Sequence, residues 1–541
     1  MIVIERIIGI YDQVPTSNSE VQRQKIPSSI FMGTNKCLLT MAAAIAMVHL
    51  TLLEGTTVRA GILDDWNHNP GDRTSFAAGM EDSADALMSC FNSKFNPNPA
   101  PFIDFVNANP SQSFFLHRLW WSKRASTFAL SGFTSLDISR LQMLEDQCRS
   151  FPGGVIAAAV WQPLIEATPV ARDFRGVPQL SPKNAQLLAN VTNRLESLFT
   201  RMEAAINLSA SFGSSGSIAS AGLFGSASSS KSPQQQAAAT AAACNLRLLL
   251  VAELVADEQM AIIMPINAIR NAAFLAVDSP LAAMVDVDLS ISAGLAARVL
   301  RNQTRAEELV WRSQWEHVAW VLPTFDIHKN VSRLEKNAAV EEALAVPPDQ
   351  KTTRLRSLWR ERHRIHPFAA DRYPLGHNAT DYDRWFATPY EEYPSSFQEG
   401  YEPWFMGPRR AMPPYDVRIR GRYHDKITNV RHAMKLLHFR VAPDIWLVHR
   451  PHGLSTSHLG YKHTHSDGSW ALDKVIDVKG TKSTAADLYL KADQRFFRDV
   501  IIRTTNNSYD GVADETWYHC RSVLPWWRGS FAIGPAMKTT L

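Results

Sequence analysis

Apolar runs alternate with amphipathic stretches along the chain from about residue 126 onwards. An apolar run at 126–134 ends in a glycine turn, and Leu141, Leu144 and Cys148 then recur at helical spacing before a Pro-Gly-Gly stop. A second apolar run follows at 155–161. A strand, a helix and a strand in this order predict a βαβ unit, and therefore a parallel sheet.

The same alternation continues through the middle of the chain. The further predicted elements are a helix at 183–206, a strand in LRLLLVAEL, a helix beginning at Pro265, an apolar run in PLAAMVDVDL, a helix from Ala293 and a strand in HVAWVLPTF. This order predicts an α/β fold with helices packed around one sheet. A Ser/Gly/Ala-rich insert at about 208–243 has no core-forming pattern, so we expect it to be a disordered surface loop.

The N-terminal part of the chain differs from this pattern. Residues 37–53 form a run of 17 residues without formal charge. At about 1.5 Å per residue the run spans roughly 25 Å, which is short but sufficient for a thin bilayer. We expect a signal-anchor helix here, with 1–36 as a cytoplasmic tail and 54–124 as a stem or lead-in to a domain at 125–530. A buried helix is the alternative, because His49 lies within the run.

Composition places the protein among packed globular proteins. The 541 residues are 45% hydrophobic, and 56 basic residues nearly balance 52 acidic ones, so no basic surface typical of nucleic-acid binding is predicted. The five cysteines have no zinc-site spacing, and one or two disulfides are compatible with their positions. Six Asn-x-Ser/Thr sequons favour a lumenal domain; they lie at Asn190, Asn207, Asn302, Asn330, Asn378 and Asn506.

Two carboxylates, Asp286 and Asp288, end the apolar run in PLAAMVDVDL. Residues two apart on an extended segment point the same way, so both side chains can converge on one divalent cation. Carboxylate oxygens suit Mg²⁺ or Mn²⁺, and such ions keep positions open for substrate phosphates. The alternative is a strand-end turn with solvated aspartates, because a D-x-D pair alone is a weak motif.

Several blocks around this pair resemble the LARGE-type glycosyltransferases, glycosyltransferase family 49. The blocks occur in the family's order between about Thr127 and His452, and they are STFALSGFTSLDISRLQMLEDQCRSFPGGVIAAAVW, PINAIRNAA with VDVDLSISAGL, HVAWVLPTFDI, HNATDYDRWF, YEPWFMGPRRAMPPYDVRIRG and HFRVAPDIWLVHRPHG. The resemblance implies a GT-A fold, a UDP-sugar donor and Mn²⁺ or Mg²⁺ as cofactor.

The resemblance also implies which residues bind the metal and the donor. Asp286 and Asp288 match the metal-binding D-x-D, and His449 matches the histidine that completes the metal shell. His452 is a weaker match for a phosphate contact. The helix before the pair carries an N-x-x-R motif; its two residues, expected to contact a phosphate or a donor carboxylate, are Asn267 and Arg270.

The acceptor side departs from the family pattern. Asp416 matches the family's F/Y-D-E-R-F and is the first choice for the catalytic base, but Val417 replaces the family's Glu. The segment GRYHDK stands where the family tends to show G-Y-G-W-N-K, which makes Asp425 the second choice. Three further residues are expected to line the acceptor side, although Trp385 equally suits the core; they are Thr380, Tyr382 and Trp385.

Together these features predict a single-pass type II Golgi enzyme that transfers a sugar from a UDP-sugar to a glycan acceptor with inversion. The donor candidates are UDP-glucuronate, UDP-xylose and UDP-N-acetylglucosamine, and the sequence leaves the choice open. The altered GRYHDK segment also permits an inactive glycan-binding or scaffold protein on the same fold. A metal-dependent phosphohydrolase is a weaker alternative, based only on the HTH string at 463–465.

Overall fold

The computed structural model describes residues 80–107, 113–122, 129–166, 170–172, 178–213, 243–296, 302–453 and 472–528. All of them belong to one unit of the chain, 71–541. The predicted tail and anchor, 1–36 and 37–53, lie outside the described residues, as does most of the predicted Ser/Gly/Ala insert. Within the described part of the chain, no helix has the length and apolar character needed to span a membrane.

Nine strands form the central sheet. They are β1 (Phe114–Trp121), β2 (Leu130–Asp137), β3 (Val155–Ile165), β4 (Asn245–Val255), β5 (Leu281–Met284), β7 (Val318–Val321), β10 (Tyr393–Pro394), β11 (Phe405–Pro408) and β12 (His438–Val441), and their spatial order is β1-β4-β3-β2-β5-β11-β7-β12-β10. Strands β4, β3, β2 and β5 are mutually parallel, whereas β11 runs antiparallel to both its neighbours. The predicted α/β class and the first βαβ unit are confirmed.

A second, smaller sheet has four strands. It contains β6 (Leu289–Ile291), β8 (Thr324–Ile327), β9 (Ile365–Pro367) and β13 (Leu447–His449), in the order β6-β13-β8-β9. A separate hairpin is made of β14 (Val475–Val478) and β15 (Thr481–Thr484). The chain passes from the large sheet at β5 to the small sheet at β6 within the four residues that include both aspartates of the D-x-D motif.

Helices pack around these sheets. In chain order they are α1 (Met80–Asn92), α2 (Phe102–Asn107), α3 (Leu141–Ser150), α4 (Pro182–Gly213), α5 (Glu258–Ile262), α6 (Ile266–Leu275), α7 (Gln303–Trp315), α8 (Lys336–Leu344), α9 (Arg356–Arg360), α10 (Tyr382–Ala387), α11 (Asp425–Leu436), α12 (Ala485–Thr505), α13 (Glu515–Val523) and α14 (Pro525–Arg528). Pro265 caps α6 as its sequence position suggests, and every residue of α6 after Ile266 is buried. The buried positions include Asn267, Arg270 and Asn271, whose polar side chains therefore need partners inside the protein.

The described part of the predicted lead-in, 54–124, is folded onto the domain. Strand β1 pairs antiparallel with β4 at the edge of the central sheet, and α1 packs against β1. A disulfide between Cys90 and Cys520 also joins α1 to α13. The Asn/Pro-rich composition around β1 conceals these elements, because the strand is stabilised by pairing with β4 rather than by its local sequence.

A second disulfide joins Cys148 at the end of α3 to Cys244 just before β4. Both disulfides therefore tie helices to distant parts of the chain, and the sequence alone left their pairing open.

Candidate functional site

The loop between β5 and β6 carries Asp286 and Asp288. The buried run Leu281–Met284 forms β5 because its small and apolar side chains fit between β2 and β11. The backbone then turns, with the Leu289 amide donating to the Asp286 carbonyl at 3.0 Å, and continues into β6. The two aspartates therefore follow the carboxyl end of a parallel strand, where α/β proteins bind ligands.

Gln147, near the end of α3, anchors the loop between β5 and β6 through hydrogen bonds to its backbone. Its Nε2 donates to the carbonyl oxygens of Asp286 at 2.9 Å, Leu289 at 3.1 Å and Val285 at 3.3 Å. The side chain is buried, and the neighbouring Cys148 is fixed by its disulfide. The two N–H groups of one amide are therefore shared among three carbonyls of the loop, a role that nothing in the local sequence indicates.

Asp288, His449 and His452 converge on one point. Nε2 of His452 lies 3.0 Å and Nε2 of His449 lies 3.7 Å from the same carboxylate oxygen of Asp288, and the two nitrogens are 3.1 Å apart. Pairing of β13 with β6 brings His449 opposite Leu289, directly after Asp288 in the chain. Among the described residues, these three have side-chain ligand atoms close enough together to hold one metal ion.

The cluster also has the outer partner that metal-binding histidines require. Nδ1 of His449 lies 3.1 Å from a carboxylate oxygen of Asp326, which fixes the ring so that Nε2 faces Asp288. Burial lowers the pKa of His449, but hydrogen bonds to Asp288 and Asp326 outweigh burial and raise this pKa to about 9. Burial acts against ionisation of Asp288, yet the two histidines hold its pKa well below the ordinary value.

One carboxylate and two imidazoles fit a divalent transition-metal ion. Mn²⁺ accepts both oxygen and imidazole ligands, and three protein ligands leave positions open for phosphate oxygens. His452, expected from sequence to contact phosphate, lies within this ligand group. The ligand role of Asp288 and His449 remains a prediction that this geometry supports.

Asp286 points to cations instead of the histidines. Its carboxylate accepts from Arg270 at 3.0 Å, from Lys426 at 2.9 Å and from Trp404 at 3.2 Å. Burial opposes ionisation, but Lys426 and Arg270 lower the pKa of Asp286. Asp286 is thus held as an anion between two cations, and its metal-ligand role stays a prediction.

Arg270 lies at the centre of a buried hydrogen-bond network next to Asp286. Its guanidinium is fully buried and also bonds Asp425 at 2.7 Å and Asn267 at 3.1 Å. Asn267 in turn donates to the backbone carbonyls of Asp416 and Asp425. The structure therefore brings Asn267, Arg270, Asp286 and Asp425 together, although α6 and α11 are far apart in the chain.

Asp416, the first choice for the catalytic base, is enclosed by other partners. Its side chain is 1% exposed, and its two oxygens accept from Arg418 and from Tyr509 at 2.7 Å. Asp425, the second choice, is also nearly buried and paired with Arg270. Both oxygens of Asp416 are thus engaged, whereas Arg270 contacts only one carboxylate oxygen of Asp425.

Glu402 is the carboxylate that sequence reasoning missed. It precedes β11, is half-buried, and its backbone amide donates to the Gly376 carbonyl at 3.0 Å. Burial raises the pKa of Glu402 to about 7; nearby Lys426 opposes this rise, while Asp425 and Asp286 add to it. A pKa near neutrality suits a general base. The signal in the sequence is a charged residue within the aromatic-rich segment YEPWF.

The three residues expected to line the acceptor side lie in the core instead. Trp385 is fully buried and donates to the Ala442 carbonyl at 2.7 Å, and the Thr380 hydroxyl lies 3.1 Å from that of Tyr401. The Tyr382 hydroxyl donates to the Thr324 carbonyl at 2.7 Å and accepts from the Thr324 amide. Side chains enclosed in this way offer no face to a sugar, and Tyr382 instead anchors the strand that carries Asp326.

Comparison with known proteins places this geometry in context. Residues 131–470 match the family described as "Glycosyl-transferase for dystroglycan". The chain is also similar to "Xylosyl- and glucuronyltransferase LARGE2" of Rattus norvegicus and of Mus musculus, at 28% identity over 239 residues, which cover 43% of this chain and 31% of each relative. A third relative, "Xylosyl- and glucuronyltransferase LARGE2s" of Gallus gallus, is 28% identical over 196 residues, 35% of this chain and 23% of the relative. The chain therefore matches less than a third of the length of these relatives.

Proposed function

We propose a metal-dependent sugar transfer for this chain, which belongs to the glycosyltransferase family described as "Glycosyl-transferase for dystroglycan". The donor is a UDP-sugar, the acceptor is a glycan, and the anomeric configuration is inverted. The observation that carries the proposal is the convergence of Asp288, His449 and His452 at the end of β5, beside the cationic pair of Arg270 and Lys426.

The residues of the cluster would hold Mn²⁺, or Mg²⁺, against the donor pyrophosphate. When bound, the ion supplies positive charge that offsets the charge developing on the departing UDP. Arg270 and Lys426 would hold Asp286 in a fixed position beside that site, because both cations bond its carboxylate. Gln147 would keep the loop backbone in place through its three carbonyl contacts.

The transfer step needs a base for the acceptor hydroxyl. As the hydroxyl oxygen bonds to the anomeric carbon, the bond between that carbon and the UDP oxygen breaks and UDP leaves with the electron pair. The hydroxyl proton passes to the Glu402 carboxylate, which is half-buried yet has no ion pair as close as those of Asp416 and Asp425 among the described contacts. Glu402 therefore ranks ahead of Asp416 and Asp425 for this role.

The names of the relatives favour two donors. Those relatives are described as xylosyl- and glucuronyltransferases, so UDP-xylose and UDP-glucuronate rank ahead of UDP-N-acetylglucosamine. Lys426 and Arg270 are neutralised by Asp286 and Asp425, so their charge does not distinguish between a neutral and an anionic sugar.

We further propose that the enzyme is a single-pass type II protein of the Golgi membrane with its catalytic domain in the lumen. Two disulfides suit an oxidising compartment. The five sequon asparagines whose side chains are described are all exposed, and they are Asn190, Asn302, Asn330, Asn378 and Asn506. Treatment of the protein from eukaryotic cells with an N-glycosidase should lower its mass, and an unchanged mass would contradict lumenal exposure.

The experiment that tests the activity is a donor screen on the purified chain without acceptor. UDP release is measured for UDP-xylose, UDP-glucuronate and UDP-N-acetylglucosamine, with Mn²⁺ and with EDTA. We expect slow hydrolysis of one donor that EDTA abolishes, and none by Asp288→Asn. A chain that binds glycans but hydrolyses no donor, with or without a glycan acceptor, would instead be the inactive binding protein that the sequence also permits.

A further inference from the structure

The loop at 421–424 leads directly into the candidate site. It precedes α11, whose first two residues bond Arg270 and Asp286 through the side chains of Asp425 and Lys426. Tyr423 lies in this loop, three positions before Lys426. Its ring is 40% exposed, so an aromatic face stands at the surface immediately beside the start of α11.

The backbone at Tyr423 adopts a conformation that tyrosine disfavours. Its φ is +86°, in the region that glycine populates readily and that a residue with a bulky side chain rarely adopts. Such strain persists only where the surroundings fix it, and it is concentrated at functional sites. Packing of the Tyr423 ring offsets little of this strain, because its centroid lies 6.4 Å from that of Tyr489 and 40% of the side chain is exposed.

Helix α12 fixes the loop on both sides of Tyr423. The Tyr489 hydroxyl accepts from the Arg422 amide at 3.0 Å and donates to the Arg420 carbonyl at 2.7 Å. On the other side, the His424 ring stacks on Phe497 at 3.9 Å, and its Nδ1 lies 2.6 Å from Asp493. Residues Tyr489, Asp493 and Phe497 all follow the stretch 131–470 that matches the family.

We propose that Tyr423 is the stacking platform for the terminal sugar of the acceptor glycan, and that α12 exists to hold this platform in place. This inference rests on the proposed function. A rigid, exposed tyrosine ring offers a flat apolar face at low entropy cost, which matches the apolar face of a pyranose ring. Acceptor recognition by this chain therefore depends on a residue and a helix outside the metal and donor site.

Three substitutions separate the ring from the backbone. Tyr423→Phe keeps the ring, whereas Tyr423→Ala and Tyr423→Gly both remove it, and only the glycine relieves the positive φ. The acceptor probes are methyl β-xyloside and methyl β-glucuronide, and the readout is acceptor-stimulated UDP release relative to acceptor-free release. We expect the acceptor KM to rise about tenfold in both the Ala and Gly variants and to stay within twofold of wild type in the Phe variant.

Two matched controls complete the design. Lys479→Gly relieves a positive φ of 53° in the β14–β15 turn, and Tyr518→Ala removes a half-exposed tyrosine ring from α13. Both should keep the wild-type acceptor KM. An unchanged KM in Tyr423→Ala, or a KM restored in Tyr423→Gly, would overturn the proposal, because the ring would then be dispensable.

A binding measurement tests the platform independently of turnover. Saturation-transfer NMR with the same two glycosides should show sugar-proton signals with wild type and Tyr423→Phe, and lose them with Tyr423→Gly. Retained signals in Tyr423→Gly would overturn the proposal. A wild-type protein that binds the glycosides through Tyr423 but releases no UDP would refute the proposed activity while leaving the platform supported.

Discussion

Nε2 of His452 lies 3.0 Å from the carboxylate of Asp288, although the two residues come from distant parts of the chain. The neighbouring aspartate, Asp286, bonds Arg270 and Lys426 instead. The D-x-D motif therefore divides its two carboxylates between a metal-type cluster and a cationic network. This division predicts that the two aspartates have different functions.

Gln147 should control metal affinity without touching the metal. Replacing it with Leu removes the donor to the carbonyls of Val285, Asp286 and Leu289, of which the Asp286 carbonyl keeps the Leu289 amide as a second partner. We expect Gln147→Leu to lower the free energy of unfolding by about 1–3 kcal/mol and to weaken Mn²⁺ binding as the loop loosens. Chemical denaturation and Mn²⁺-dependent thermal shift measure the two effects.

The control is Gln142→Leu, at an exposed position of the same helix. It should change neither quantity. Equal metal affinity in Gln147→Leu and wild type would show that the loop keeps its shape without this side chain.

Glu402 should set the acidic limb of the pH–rate profile. Burial raises its pKa to about 7, so the carboxylate needed as base is lost as the pH falls below this value. We expect transfer to fall about tenfold per pH unit on the acidic side. Glu402→Gln should lower the transfer rate by at least about a hundredfold and remove this limb. A Gln variant with the wild-type profile would assign the base elsewhere, with Asp425 next in rank.

Stability gives a second readout of the same carboxyl group. Because its folded pKa lies above the unfolded value, its contribution to stability is present below about pH 4.5 and is lost as the pH rises through about 7. Glu402→Gln should therefore be more stable relative to wild type at pH 8 than at pH 5. Thermal melts at the two pH values test this sign.

Arg420 and Glu253 form a buried bidentate pair that ties the residue before the loop at 421–424 to β4. Their nitrogen–oxygen distances are 2.8 and 3.0 Å, and both side chains are almost fully buried. Replacing Arg420 with Met leaves Glu253 buried without its cation, so we expect unfolding to become easier by about 3–5 kcal/mol. Arg201→Met removes an exposed partner of Glu145 and should cost less than about 1 kcal/mol. Denaturant titrations that show equal costs would contradict this difference.

The sequence contained enough to predict the central strands. The apolar runs that became β2, β3, β4 and β5 are buried on both faces, so their composition alone marks them as parallel strands. Strand β1 escaped prediction, because it is an edge strand whose pairing with β4 depends on a distant segment. Propensity is a weak guide where tertiary pairing decides the structure.

Local sequence predicts those parts of the site that depend on the spacing of neighbouring residues. It does not predict the contacts that form between segments far apart in the chain. The positions of Asp286 and Asp288 at a strand end follow from local sequence. The contacts of Gln147 depend on how α3 packs under a loop far along the chain. Likewise, nothing in the local sequence shows that the Asp416 carboxylate accepts a hydrogen bond from Tyr509, or that Trp385 donates one to the Ala442 carbonyl.

Mn²⁺ binding to wild type and Asp288→Asn, followed by electron paramagnetic resonance in the presence of UDP, tests the central claim most directly. The substitution keeps the size of the side chain but removes the charge that would hold the ion between His449 and His452. We predict one bound Mn²⁺ per wild-type chain, and binding at least about tenfold weaker in a folded Asp288→Asn protein, which corresponds to about 1.4 kcal/mol or more. Mn²⁺ bound by Asp288→Asn with wild-type affinity would contradict the account, because the metal would then lie elsewhere.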